Sequence, residues 1–566
     1  MLGIPQQKSL TKILSLGLFL VSVTVVTEGL TDPVNVPKLL ILGAFSATLF
    51  GVAVSLNPKI LKLADWKVQS ALGAFLIFSI VSVIRSDSPL TQNIYGAYGR
   101  NNGFLAYLFL ALIFFFSTFI SDRSNQMRIL KTLLYVGYVN LAYCLWVILF
   151  GDFLPWNNPY GNILGTFGNP NFIGAFLGIL FGVLLAIGLG KEASKFFRIS
   201  LFVLLPLTLF EIVDSSAIQG RVLAALSFGI VGIFYLYFNL SHKVAYLFTS
   251  VAVIVGIFAL LGAFQRGPLA EFIYKTSVSL RGQYWLAAWN TGSENPVSGV
   301  GMDAFGDWYR RSRDVRAIEL PGLNTVVNTA HNVPLDMLAF GGFPLFIAYL
   351  FMMALSLKSA IVIAKNMKSY DSVGVGLITA WVCYQVQSII SINQIGLAIW
   401  GWALSGSLIA YSRYVPDTNL MLTKTTTSAN KKIARATELK PISVVYATVF
   451  GLIGFLVSLP PVSADVKLRS AQVSRNAIEL EKTMEPSSFN PLNSQKYILN
   501  IQAFEGSGLF ELSHKYALRA VEWNPEAYEL WRILYLIKNS TAVEKELAIK
   551  NMKRLDPLNP DVTATQ

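Results

Sequence analysis

Apolar stretches of about 20 residues recur along most of this chain, and no other feature constrains its folding as strongly. A helix of that length crosses the ~30 Å hydrocarbon core of a bilayer. The spacing predicts spans at 12–30, 37–55, 68–85, 104–121, 130–151, 172–190, 198–213, 222–240, 244–264, 333–357, 372–392, 394–412 and 441–461. The first run is one of many and no small-residue cleavage pattern follows it, so it reads as a span and not as a signal peptide. Of 566 residues, 14% are charged and 54% hydrophobic. A soluble chain carries roughly 25% charged residues, and the deficit is what lipid-facing surface requires.

The net charge of +13 invites a nucleic-acid reading, but in a multi-span protein Lys and Arg collect in cytoplasmic loops and set orientation. With Lys8 and Lys12 placed in the cytoplasm, the inside loops hold Lys59, Lys62 and Lys67; Arg123, Arg128 and Lys131; Lys191, Lys195 and Arg198; Lys243; and Lys358, Lys365 and Lys368. The last holds Arg413, Lys424, Lys431, Lys432, Arg435 and Lys440. The outside loops at 31–36, 152–171 and around Asn393 hold neither Lys nor Arg. The charge therefore implies a multi-pass protein of the cell (inner) membrane, N-terminus cytoplasmic, with no nucleic-acid partner. Three longer pieces face outward, 86–103, 152–171 and 265–332, as does everything after the last span. Cys144 and Cys383 both lie in apolar runs, away from any metal-ligand spacing.

The polar tail repeats. Asn490-Pro491, Asn524-Pro525 and Asn559-Pro560 lie 34 and 35 residues apart, and a period near 34 with Pro closing the second helix is the tetratricopeptide (TPR) signature. Ala517, Arg519, Ala520, Val521 and Trp523 fit the end of one repeat, and Ala527, Tyr528 and Trp531 the start of the next. Two to three repeats are near the minimum for a stable stack, so the tail is expected to lean on the membrane domain or on a protein partner. The fold class expected is thus all-α. A polytopic bundle of about 12–13 spans over 1–413 carries an outer catalytic loop at about 265–332. A cytoplasmic linker at 414–440, an additional transmembrane helix at 441–461 and an extracytoplasmic TPR-like domain at 463–566 follow.

No P-loop, dinucleotide fingerprint, nucleophile elbow or metal cluster is present. Of three histidines, His242 falls in a short cytoplasmic loop and His514 in the tail, where surface roles are the plain reading. His331 ends the large outer loop in Asn328-Thr329-Ala330-His331-Asn332, just before a span. A lone histidine is usually structural; its place beside an arginine-rich loop at the membrane surface singles this one out. The loop carries Arg266, Lys275, Arg281, Arg310, Arg311, Arg313 and Arg316, with Asp307 and Asp314 as available partners for the 310–316 run. Arg281 opens Arg281-Gly282-Gln283-Tyr284-Trp285, and Arg221 sits in Gln219-Gly220-Arg221 where a span re-enters the membrane. An arginine near hydrocarbon is costly and needs a partner. Guanidinium forks grip phosphate oxygens, so several at one membrane surface suggest a lipid diphosphate headgroup.

At these residues the chain resembles the O-antigen ligase, O-antigen polymerase and protein O-oligosaccharyltransferase superfamily. The matching pieces are Gly165-Thr166-Phe167-Gly168-Asn169-Pro170-Asn171-Phe172, then the Arg281 motif, Pro296-Val297-Ser298-Gly299-Val300-Gly301-Met302-Asp303-Ala304-Phe305 and Thr329-Ala330-His331-Asn332, followed by Phe340-Gly341-Gly342-Phe343-Pro344. They span about residues 90–410. The resemblance implies an inverting, metal-independent glycosyltransferase without a cofactor. Its donor would be a glycan on polyprenyl (undecaprenyl) diphosphate in the membrane lipid, its acceptor a lipid, glycan or protein hydroxyl. It implies Arg221 and Arg281 as diphosphate ligands and His331 as the catalytic histidine. Arg100, Asn169, Asn171, Arg310 and Arg311 are further substrate-binding candidates. At Arg221 the chain departs from the Ser-Arg frequent in the family. The alternatives are a polymerase of lipid-linked repeat units, or a non-enzymatic scaffold or transporter with a partner-binding tail; few intramembrane charges and no obvious inverted repeat argue against transport.

Overall fold

The computed structural model describes residues 2–273, 276–414 and 441–563. The linker expected at 414–440 lies, apart from Tyr414, outside the described residues. The described residues form helices and no strand. The membrane domain runs through α1 (Ile4–Val23), α2 (Asn35–Leu56), α3 (Trp66–Arg85), α4 (Leu90–Tyr95), α5 (Phe104–Ser117), α6 (Arg123–Phe150), α7 (Pro170–Leu189), α8 (Lys195–Asp214), α9 (Ile218–Asn239) and α10 (His242–Ala263). It continues through α11 (Thr276–Glu294), α12 (Phe305–Ser312), α13 (Val333–Asn366), α14 (Ser372–Ile390) and α15 (Ile395–Tyr411). The long α16 (Pro441–Ser474) leads into α17 (Ala477–Thr483), α18 (Ser494–Gly506), α19 (Phe510–Trp523), α20 (Tyr528–Leu536) and α21 (Ala542–Leu555).

Among the described residues ten helices are long and apolar enough to cross a membrane: α2, α3, α6 to α10, α13, α14 and α16. Each expected span has a helix, but three fall short. Helix α5 has 14 residues and α15 has 17, so α5 rises only about 21 Å. Nearly all of α5 and every residue of α15 are buried in protein, and a helix shielded from lipid need not match the bilayer. The first helix is displaced from the predicted 12–30: it starts at Ile4, takes in Lys8 and Lys12, and ends at Val23. The helix beginning at Pro441 does not stop near 461 but runs unbroken past Pro460 and Pro461 to Ser474.

Exposure sorts the helices. The wall around Trp402, whose ring meets Phe75, Tyr107, Phe114 and Tyr349, is the buried centre. Helix α10 buries almost nothing against the rest of the chain, and past its first turn its surface is mostly apolar, as a lipid-facing helix requires. Helices α2 and α16 pack antiparallel through glycines. A Cβ at Gly43 would collide with Ser458 Oγ, and one at Gly454 with the Gly43 carbonyl, the close backbone approach that small residues permit in membranes.

The loops sort by end as the charge alternation predicts. At one end Asn35 Nδ2 donates to the Gly99 carbonyl (2.7 Å), Ser86 Oγ to Val300 (2.8 Å) and Asn162 Nδ2 to Asp214 (3.0 Å). At the other, Gln7 Oε1 accepts from Ser121 and Asp122 N–H groups, and Arg123 bridges Glu192 and Asp371.

The tail is a run of helix pairs with its own core, built on Phe504, Tyr516, Leu530, Trp531 and Leu555. Asn490, Asn524 and Asn559 are each buried at the turn that closes a pair. Asn490 Nδ2 donates to the nearby Thr483 carbonyl (2.9 Å), and Asn559 Nδ2 reaches across the pair to Tyr528 Oη (3.1 Å). The tail leans on the membrane domain. Asp556 takes Arg313 on both oxygens (2.8 and 3.0 Å) and Arg310 (3.1 Å), Glu529 takes Arg310 (2.7 Å), and Glu526 pairs with Arg311. Asn524 Nδ2 donates to Asp307 (3.0 Å) and Thr91 Oγ1 to the Leu492 carbonyl (3.2 Å).

Candidate active site

Two sequence motifs interlock to fix the loop that carries Arg100. Helix α13 breaks at Gly341 and Gly342, the latter at φ +67°. The segment 296–301 lies against that break. Phe343 N donates to the Pro296 carbonyl (2.9 Å), Val300 N to Ala339 (3.0 Å) and Gly301 N to Phe340 (3.0 Å). A side chain at Gly299 (φ +59°) would strike the Phe340 carbonyl, and one at Gly342 the Pro296 carbonyl. The break frees carbonyls that a straight helix would use internally, and the glycine-rich segment occupies them.

This interlock presents Asp303 to the 96–103 loop. Asp303 Oδ2 accepts from the backbone N–H groups of Ala97 (2.7 Å) and Asn102 (3.3 Å). Burial raises its carboxyl to about 6, against the opposing pull of Arg100. The loop so held carries Arg100, whose guanidinium is enclosed and has Nη1 without a hydrogen-bond partner. Desolvation pulls Arg100 below its usual range.

His331 is held as firmly. Its own N–H bonds Thr329 Oγ1 (3.2 Å), the Ala330 N–H bonds Asp336 Oδ1 (2.8 Å), and Asn332 Oδ1 caps α13 through the Leu335 N–H (3.0 Å). These fixings hold His331 at φ +53°, a conformation rare for a residue with a side chain. Its ring packs over Tyr284, centroids 5.5 Å apart. Tyr284 lies three residues after Arg281 on α11, on the same helix face. Burial, together with the charges of Arg100 and Arg281, pushes the imidazole down from 6.5 to about 3. Desolvation also lowers Arg281. Among the described residues neither Arg100 nor Arg281 has a carboxylate in ion-pair contact, and no hydrogen bond reaches the His331 ring.

These groups line a cavity of about 530 Å³ at the loop-rich end of the bundle. Arg100, Asn169, Asn171, Arg281 and His331 are all in its wall, with Asp32, Asn35, Trp156, Phe167, Gln219 and Arg469. Four helices begin here. Val34 and Asn35 open α2, Asn169 caps α7 through the Asn171 N–H (2.9 Å), Gln219 stands in the first turn of α9, and His331 precedes α13. Each start presents the positive end of a helix dipole, and the start of α9 has no side-chain cap on its first N–H groups. Three arginines and the positive ends of helices thus converge, beside the Asp32 carboxyl, on a space large enough for a diphosphate and part of a sugar. No group of three or more His, Cys, Asp or Glu able to hold a metal occurs among the described residues.

Five of the eight residues proposed from sequence meet in this cavity, and three stand elsewhere. Arg221 is exposed, with Nη2 donating to the Val213 carbonyl (3.4 Å). Gln219, two residues earlier and so on the opposite side of α9, takes the cavity position. Arg310 and Arg311 are committed to the tail carboxylates described above. Sequence reading missed Arg469. The signal was the absence of a helix stop after Pro461; ending the span there and beginning the tail at 463 hid a helix that carries Arg469 back to the site.

Residues 215–350 match the family model described as O-antigen ligase. The match supports the O-antigen ligase superfamily and points to a membrane glycosyltransferase of ligase or polymerase type. Arg281, His331 and the glycine interlock lie inside the matched segment; Arg100, Asn169, Asn171 and Arg469 lie outside it. No curated protein matches the chain.

Proposed function

We propose that this protein transfers a glycan from a polyprenyl diphosphate carrier to an acceptor hydroxyl, and that the cavity end of the bundle faces outward from the cytoplasm. The observation that carries the reading is the pair Arg100 and Arg281, neither ion-paired, sharing one cavity wall with His331 and acting on its ring. The acceptor oxygen attacks the anomeric carbon opposite the leaving group. The new C–O bond forms as the bond to the diphosphate oxygen breaks, its electron pair stays on the phosphate, and the anomeric centre inverts. Arg100, Arg281 and the uncapped helix start at Gln219 stabilise the growing negative charge without reorganising. His331 takes the hydroxyl proton. Between two arginines a bare imidazole is a poor base; a bound diphosphate cancels their field and raises its proton affinity, so the base becomes effective when donor is present. Trp156, in the cavity wall, supplies an aromatic face for a sugar ring.

The acceptor class is a lipid, a glycan or a protein hydroxyl, and the tail, proposed as a tetratricopeptide-type stack, is the element that offers it a protein surface. The test is donor-to-acceptor transfer by the purified chain in detergent with a lipid diphosphate-linked glycan. His331→Ala is expected to lower turnover by about 10²–10⁴-fold with donor still bound, and a chelator to leave the rate unchanged. Near wild-type turnover in H331A, or abolition by the chelator, overturns the mechanism.

A further inference from the structure

We propose that the C-terminal arm completes the donor site: Arg469 on α16 is a third cation for the diphosphate, and Asp465, one turn earlier, is the residue that positions the arm. The inference rests on the reading of the cavity as a diphosphate site. Three observations support it. Helix α16 is continuous from the membrane to Ser474 and is fixed against α2 by the contacts of Gly43 and Gly454, so its last turns have a defined direction. Asp465 is 2% exposed and spends its carboxylate on the other wall of the cavity. Oδ2 accepts from the Thr31 N–H (2.7 Å) and the Asp32 N–H (3.1 Å), and Oδ1 from Tyr98 Oη (2.7 Å). Thr31 and Asp32 line the cavity, and Tyr98 is two residues from Arg100. The same helix face then delivers Arg469 to the cavity wall.

Arg469 has no carboxylate in ion-pair contact among the described residues, and Asp465, its i−4 neighbour, is already engaged. The site still has an unmet donor, since Arg100 Nη1 is buried without a partner. A diphosphate ester brings at least two negative charges and many acceptor oxygens. Arg100 and Arg281 reach it from the membrane domain, and Arg469 reaches it from the arm. The ion pairs of Asp556, Glu526 and Glu529 with the large loop hold the tail in the place this requires.

The experiment uses the full chain in detergent and reads two constants: KM for the lipid-linked donor, and the inhibition or dissociation constant of inorganic pyrophosphate. Because Arg469 is exposed, R469A should keep the wild-type thermal midpoint. It should raise both constants about ten- to hundredfold with kcat changed little, the usual scale for a hydrogen bond to a charged group. R469K should recover part of the loss, and R469E should exceed R469A. D465A should raise the donor KM, and the double variant should fall short of the product of the two single effects. Unchanged constants in R469A with the midpoint kept overturn the proposal, as does a rise in KM without a change in pyrophosphate affinity, which would place Arg469 on the glycan. A wild-type chain that binds pyrophosphate but transfers no glycan overturns the glycosyltransferase reading alone. One that binds neither donor nor pyrophosphate overturns both.

Discussion

His331 shares a cavity wall with two arginines, and that placement has consequences that can be titrated. The folded protein holds the imidazole at about 3 against an ordinary 6.5. The unfolded chain therefore takes up a proton that the folded one refuses. Stability on this account is full above about pH 6.5 and declines as the pH falls from there toward 3. In the complex the sign reverses. A diphosphate between Arg100 and Arg281 raises the histidine pKa, so by linkage protonation must favour binding. Pyrophosphate binding is expected to tighten between pH 8 and 6 more in the wild type than in H331Q, measured by calorimetry at each pH; identical pH dependences count against the arrangement. Arg281→Ala and Arg100→Ala should each raise the barrier by about 2.7–4 kcal/mol, the scale of a lost oxyanion donor. Lys at either position should restore only part, since it keeps the charge and loses the fork. At this scale the sequence was legible wherever a motif fixed the backbone: Arg281 and His331 both reach the cavity. It misled at Arg221, where two positions on a helix separate a cavity-facing side chain from an exposed one, and nothing local distinguishes Gln219 from Arg221.

The interlock of α13 with the 296–301 segment makes a prediction about elements. Gly299 and Gly342 hold positive φ, and each would place a Cβ against a backbone carbonyl that cannot retreat. G299A and G342A should each cost about 1–3 kcal/mol from strain of this kind. Both should lower activity although neither side chain reaches the cavity, because Asp303 and the Arg100 loop hang from that junction. The checks are the thermal midpoint and the transfer rate; a variant with both at wild-type values would show that the junction does not position the site. The glycines were visible in sequence as spaced pairs, but their reason, one backbone accepting another across a helix break, is tertiary. Span existence was legible and span ends were not. The predicted 12–30 ran past the helix end at Val23 because Val25, Val26 and Leu30 extend the apolar run, although 24–30 leaves the helix and Thr27 and Leu30 line the cavity.

For the whole molecule, charge alternation grouped the loops into the two ends found in the structure, a pattern that survives errors in any one boundary because each end collects independent loops. It leads to a topology test: a reporter fused after Lys432 should read cytoplasmic and one after Gln566 extracytoplasmic. A cytoplasmic signal from the second would set the cavity on the wrong side for an exported acceptor. Tail docking was legible only as an expectation, because the pairs that make it join residues more than 200 positions apart. Arg310 and Arg311 read as substrate-binding candidates in the sequence, and their acidic partners come from beyond the last span. Those partners supply the sharpest test of the assembly. The side chains of Arg313 and Asp556 are both wholly buried, and Asp556 also takes Arg310. Removing one member of such a cluster leaves buried charge uncompensated, which costs about 3–5 kcal/mol. That exceeds what a few helix pairs near the minimum stack size can absorb, so Asp556→Ala should release the tail as a unit. Limited proteolysis should then cut within 476–493 far faster than in the wild type, while the transmembrane core stays intact. If Arg469 serves the site from α16, release of the tail should raise the donor KM as well. Rapid cleavage with an unchanged KM would mean that α16 holds its last turns through Asp465 alone. D556A with a wild-type cleavage rate would show that the acidic cluster does not hold the tail in place.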